Sequence, residues 1–184
     1  MECLKNRKQD IRTFFKRQRA EMSSERRKSA SLQAQDKLMR IFNSHTQILS
    51  FVGFKQEIDT TLVNHLLAKE GKLLLPRAVG EELHIHRVMD PSSQLEANSW
   101  GVFEPIPELC PRVGVEYISL VLVPGIAFDP DFHRIGYGKG YYDRFLRHIP
   151  DSMKVIGLGY KEQLSQELFP VEPHDIALDQ VCLF

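Results

Sequence analysis

Two short apolar runs with one helix between them constrain this chain more than any other feature. Residues 48–54 read ILSFVGF, and residues 72–75 form a second run closed by Pro76. Between them, Asp59 or Thr60 can cap a helix through Leu62, Val63, Leu66 and Leu67, ended by Gly71. Strand, helix and strand at this spacing make a βαβ unit, which favours a parallel sheet. A third run at 120–123, closed by Pro124-Gly125, is continuously apolar, as expected of a strand covered on both faces. Residues 83–88 alternate like a more exposed strand, with His84 and His86 read as surface. Strands are also expected at 47–54, 154–158 and 176–183, and helices at about 4–20, from Ser23 or Ser24 onward, and at 141–148. The reading is α/β with a central, mostly parallel sheet, as one domain over 1–184. Ligands of such sheets sit beyond the carboxyl ends of the strands. Residues 53–57, Pro76-Arg77 and the chain after Pro124 fall there.

Composition narrows the partners. The chain is 42% apolar and 26% charged, which excludes disordered and fibrous classes. Lys/Arg and Asp/Glu balance at 24 each, so net charge alone advertises no nucleic acid. The balance is uneven along the chain: residues 1–40 hold 12 Lys/Arg against 5 Asp/Glu. Phe14 and Phe15 of this basic end are at core spacing rather than on a stacking platform. Cys3, Cys110 and Cys182 are far apart and suit a reducing compartment. No signal segment or membrane-length apolar run is found, so a cytoplasmic location without a membrane partner is expected.

The sharpest motif is Arg134-Ile-Gly-Tyr-Gly-Lys-Gly-Tyr-Tyr-Asp143. Glycines at 136, 138 and 140 let backbone N–H groups approach a ligand with no Cβ in the way. Lys139 supplies a cation, Arg134 a planar fork, and a short helix starts directly after. Together these make a phosphate cradle, although neither the Walker A nor the Rossmann pattern is met. The bland alternative is a Gly-rich surface turn with a solvated lysine. Asp143 could ligate Mg²⁺ riding on phosphates, or pair with Lys139, Arg144 or Arg147. Lys8 and Arg12, at i and i+4, could close over a polyphosphate or be a solvated face. For Lys16, Arg17 and Arg19 the solvated face is preferred. Glu57 is free to meet a ligand N–H; Arg77 could hold an anion or pair with Glu81 or Glu82. Trp100 could stack on a flat ligand or cap the core.

On these residues the chain resembles the 5-formyltetrahydrofolate cyclo-ligase (methenyltetrahydrofolate synthetase) family nearly end to end. The motifs are Lys8-x-x-x-Arg12, FVGFKQEIDT at 51–60, Leu75-Pro76-Arg77, Trp100-Gly101 through Glu104-Pro105, Val123-Pro-Gly-x-Ala-Phe-Asp129, the Arg134–Asp143 segment and His174-Asp175. The resemblance implies a three-layer, Rossmann-like α/β/α sandwich. It implies that ATP is bound by Lys8, Arg12, Arg134, Ile135, Gly136, Tyr137, Gly138, Lys139, Gly140, Tyr141 and Tyr142. It implies folate contacts from Val52, Glu57, Tyr137, Gly138, Lys139, Gly140 and Tyr141, and Mg²⁺ held by Asp143 and Asp175. Lys139 and Arg134 are then the catalytic cations. The expected partners are ATP and 5-formyltetrahydrofolate, acting on a monomer without nucleic acid. The alternatives are another nucleotide- or sugar-phosphate-binding α/β enzyme, or a basic-armed nucleic-acid binder.

Overall fold

The computed structural model describes residues 2–150 and 152–184, with side chains from residue 4 onward. Cys3 therefore lies outside the described side chains.

Two helices open the chain, α1 (Glu2–Glu21) and α2 (Ser24–Phe42). Ser23 caps α2, its hydroxyl accepting from the Arg26 amide, as its position before Glu25 predicts. Strand β1 (Ile48–Leu49), α3 (Thr61–Lys69) and β2 (Leu73–Val79) form the expected unit, with β1 and β2 parallel. Then come β3 (Glu82–Arg87), a hairpin of β4 (Leu95–Ala97) and β5 (Phe103–Pro105), β6 (Leu120–Pro124), and a small ladder of β7 (Ala127–Phe128) with β8 (Arg134–Ile135). Helix α4 (Tyr141–Leu146), β9 (Lys154–Gly159) and β10 (Gln180–Leu183) close the chain.

The six-stranded sheet has the order β10-β9-β6-β1-β2-β3, parallel except for the β2–β3 pair. The continuous apolar runs are explained by two covered faces. Leu73, Leu75, Leu120 and Leu122 pack with Ala30, Ala34, Leu38 and Phe42 of α2 and Val63 and Leu67 of α3. Leu74, Val121 and Val123 point the other way, to Phe128 and to Phe145 and Leu146 of α4. Period-two alternation thus fills both outer layers from single strands.

The last strand starts at Gln180 instead of 176 and α4 ends at Leu146 instead of 148, and three further details differ from the sequence reading. β1 stops at Leu49 instead of running to Phe54. Beyond it Thr60 Oγ1 and Asn64 Nδ2 donate to the Phe51 carbonyl at 2.6 and 2.9 Å, so side chains take over from the ladder. Because β1 is short, β2 has an unpaired edge after Leu74, and it continues through Pro76, which needs no ladder partner there. His86 is buried with Nδ1 2.8 Å from the Cys110 carbonyl, correcting its surface assignment; the segment 110–112 folds back over it.

The strand order places β1's two neighbours, β2 and β6, on opposite sides of it. The crevice beyond the carboxyl ends of β1 and β6 is therefore the topological switch point, where open α/β sheets bind ligands.

Candidate functional site

The Arg134–Asp143 loop lies over this crevice and is held from several directions. At its start, the Ile126 amide donates to the Ile135 carbonyl at 2.7 Å, and the Ile135 side chain packs with Phe15, Ile126 and Phe169. Only the Ile135 backbone is thus offered to a ligand. Gly138 and Gly140 have φ of +97° and +68°, which L side chains resist. At Gly136 a Cβ would meet nothing within 4 Å. The protein's own packing does not require glycine there, which leaves room for a ligand against the backbone.

Helix α1 supplies a stripe of cations to this loop. Lys8, Arg12, Phe15 and Arg19 fall on one face by i, i+4 and i, i+7 spacing. Arg12 Nε donates to the Gly136 carbonyl at 2.8 Å, and its guanidinium lies against Gly138. Lys8 is buried, its ammonium 2.6 Å from Asp175 Oδ2 and 2.8 Å from Glu172 Oε2. Burial pushes the Lys8 pKa down, but the two hydrogen-bonded carboxylates outweigh it and hold it above the ordinary lysine value. Arg19 is 2% exposed, which corrects its assignment to a solvated face. Phe14, in turn, is exposed, and only Phe15 of the pair enters the core.

Beyond the loop, Arg134 Nη1 donates to Asp143 Oδ1 at 2.9 Å, the Arg134 side chain being 4% exposed. Asp143 therefore pairs with Arg134 rather than with Lys139, Arg144 or Arg147. The Tyr142 ring packs into the core on the α4 face, with the Arg134 guanidinium over it, and burial raises its hydroxyl pKa. Tyr141 Oη donates to the Gly80 carbonyl at 3.1 Å, tying α4 to the turn after β2. Exposed Lys139 has its ammonium 4.6 Å from the ring centroid of Trp100, which is 65% exposed at the tip of the β4–β5 hairpin. Trp100 thus caps no core. That hairpin is docked by Arg77, whose Nη1 donates to Glu96 Oε1 at 2.7 Å and to the Pro105 carbonyl at 2.8 Å. Arg77 accordingly pairs with Glu96, not with Glu81 or Glu82.

The turn after β1 brings Val52 and Glu57 to the same crevice. Val52 is half-buried against the α2–α3 side of the core. Glu57 is not a free carboxylate: its Oε2 accepts from the Phe54 amide at 2.9 Å, and Tyr137 and Arg19 face it. Burial still dominates and raises its pKa above the ordinary carboxylate range, against the opposing pull of the Phe54 amide, the Arg19 charge and the Tyr137 hydroxyl.

For a cation, the structure brings together Glu172, His174 and Asp175, whose ligand atoms lie within 4.8 Å of one another; Asp143 is not in this group. Of these three, Asp175 is the ligand expected from sequence, His174 stood out there only as its neighbour, and Glu172 was missed. An ammonium group already sits between the Asp175 and Glu172 carboxylates, so these oxygens do attract a cation. Hard carboxylate donors of this kind fit Mg²⁺. Among the described residues, no helix is long and apolar enough to cross a membrane.

The arrangement has close relatives. The sequence profile of the 5-formyltetrahydrofolate cyclo-ligase family matches residues 4–183. The mouse 5-formyltetrahydrofolate cyclo-ligase is 29% identical over 189 residues, covering 95% of this chain and 92% of the mouse protein. The Escherichia coli K12 enzyme of that name is 27% identical, covering 91% and 95%. The solution structure of Aquifex aeolicus 5,10-methenyltetrahydrofolate synthetase superposes with a TM-score of 0.82 at 31% identity, over 95% of this chain and 88% of that one.

Proposed function

This chain belongs to the 5-formyltetrahydrofolate cyclo-ligase family, and from that premise we propose that it converts 5-formyltetrahydrofolate to 5,10-methenyltetrahydrofolate with cleavage of ATP to ADP and phosphate. The formyl oxygen is a poor leaving group as hydroxide. Attack of that oxygen on the γ-phosphoryl group forms a new O–P bond as the bond to ADP breaks. The neighbouring folate nitrogen then adds to the formyl carbon and loses its proton. Phosphate departs with the former formyl oxygen, and the ring is closed. Such transfer depends on positioning and charge neutralisation, not on a protein nucleophile.

The single observation that carries this reading is the glycine loop clasped by Arg12 at the switch point, with an open space at Gly136. Backbone amides of 136–140 would face the triphosphate, and Lys139 would leave the Trp100 ring to screen it. Arg134, buried and paired, acts by its field and by orienting Asp143. Asp143 and Asp175 would hold Mg²⁺, which when bound supplies further neutralisation of the triphosphate. Glu57 and Val52 would line the pterin side. Losing one positioned donor of this kind typically costs about 10²–10³ in rate.

The test is a coupled assay that follows ADP release and methenyl absorbance with 5-formyltetrahydrofolate and MgATP. Formation of both products in equal amounts, dependent on the folate, is expected. ADP release indifferent to the folate, or no methenyl product, would sink the reading.

A further inference from the structure

Arg19 is the largest side chain buried almost completely in this protein, and it is charged. Its Nη2 donates to Tyr137 Oη at 2.8 Å and its Nη1 to the Gly125 carbonyl at 3.3 Å, while Nε is buried without a partner. Among the described residues it enters no ion pair with a carboxylate. A guanidinium in such a place is costly unless its charge and donors are used. An apolar side chain would fill the same space between α1 and the end of β6 at lower cost.

Its position says what uses it. Gly125 follows β6 directly, so Arg19 sits at the switch point itself. Tyr137 is the tip of the glycine loop; its ring is in contact with Phe54, edge to face at 6.1 Å, and its hydroxyl turns inward to Arg19. Phe54 in turn gives its amide to Glu57. Three segments far apart in sequence are thus linked to one buried cation: Arg19 of α1 bonds the glycine loop directly, and the turn after β1 joins through the Phe54–Tyr137 contact.

We propose that Arg19 is a positioning residue of the folate subsite: it fixes the Tyr137 hydroxyl and the Glu57 carboxyl without touching substrate, and so governs folate binding rather than nucleotide binding. This rests on the function proposed above. Arg19 is too buried to reach a ligand, whereas Glu57 is partly accessible and Tyr137 exposed. The groups that face the Glu57 carboxyl are Arg19 on α1, Tyr137 on the loop and, through Glu57's charge, Tyr142 on α4. Of these only Arg19 is a cation, and its charge favours the ionised carboxylate.

The test measures dissociation constants for 5-formyltetrahydrofolate and for ATP in wild type, Arg19→Leu, Arg19→Lys and Tyr137→Phe. Arg19→Leu is expected to weaken folate binding tenfold or more, with ATP binding changed less than twofold. Tyr137→Phe cuts the same link with the cation kept, and should act in the same direction. Arg19→Lys, with charge but no two-point fork, should fall between wild type and Arg19→Leu. Equal weakening of both ligands, or unaltered folate binding, would overturn the proposal. If Arg19→Leu does not fold, Arg19→Lys decides: folate binding unchanged from wild type, or ATP binding weakened equally, overturns the proposal. A carbon-13 titration of the Glu57 carboxyl in the ligand-free protein adds a readout independent of substrate. Its midpoint should rise in Arg19→Leu and stay near wild type in Arg19→Lys; an unmoved midpoint in Arg19→Leu also overturns the proposal. Absence of turnover in the wild type would instead sink the function reading, which this titration does not depend on.

Discussion

Lys8 Nζ lies 2.6 Å from Asp175 Oδ2, so a helix at one end of the chain is pinned to a loop near the other by a charged hydrogen bond. Glu172 shares the same ammonium at 2.8 Å. In the function proposed above, a triphosphate and its cation would arrive at this contact, and the ammonium would then compete with that cation.

The pH dependence of this fastening has a definite sign. Burial pushes the Asp175 carboxyl up, but Lys8 and the Glu172 amide outweigh it and hold it below the ordinary aspartate value. A depressed carboxylate contributes stability above its unfolded pKa, about 3.9, and that contribution is lost as pH falls through the folded value. Lys8, raised, contributes fully below about 10.4 and loses its share as pH rises through the folded value. Melting temperatures of wild type and Lys8→Met should therefore differ most between these limits and converge in acid. A difference that persists undiminished at pH 2 would contradict the assignment.

Gly136→Ala separates ligand space from protein packing. The added Cβ meets no protein atom within 4 Å, so the melting temperature should not move. If phosphate backs onto this position, kcat/KM for ATP should fall at least tenfold, about 1.4 kcal/mol of transition-state stabilisation. Wild-type kinetics in this variant would mean that no ligand lies there.

Gly138→Ala should behave differently, because its φ of +97° is itself a demand for glycine. We expect a loss of roughly 1–2 kcal/mol in stability together with the loss of activity. Chemical denaturation compares the two alanine variants directly, and equal stabilities would refute the distinction.

Lys139→Ala removes an exposed side chain whose described contact is the exposed Trp100 ring. Turnover should drop at least tenfold, about 1.4 kcal/mol, with unfolding unchanged. Trp100 fluorescence should also change, because the ammonium no longer covers the indole. Undiminished turnover would assign Lys139 to the surface.

Asp143→Asn should do two things at once. It leaves the buried Arg134 guanidinium without its charged partner, lowering stability by roughly 1–3 kcal/mol. It should also raise the Mg²⁺ concentration needed for half-maximal turnover. A stability loss with an unaltered Mg²⁺ dependence would confine Asp143 to holding Arg134.

Features whose physics is local can be read directly from the order of residues. Ser23 before Glu25 makes a helix cap wherever it stands, and the run 120–123 is too apolar for any strand but a doubly covered one. The glycine loop was legible because its alternation needs no partner to be recognised. The roles of the cations, by contrast, are set by contacts between distant segments. Arg19 reads as one of several arginines on a basic helix; its burial is created by Gly125 and Tyr137, more than 100 residues away. Glu172 carries no local signal either, and becomes a partner of the Lys8 ammonium only because Lys8 and Asp175 are brought beside it. β1 looked longer than it is because Thr60 and Asn64, from the next helix, capture the Phe51 carbonyl. Periodicity records which face of an element is apolar. It does not record which distant group will satisfy a buried charge, and in this protein that pairing builds the site.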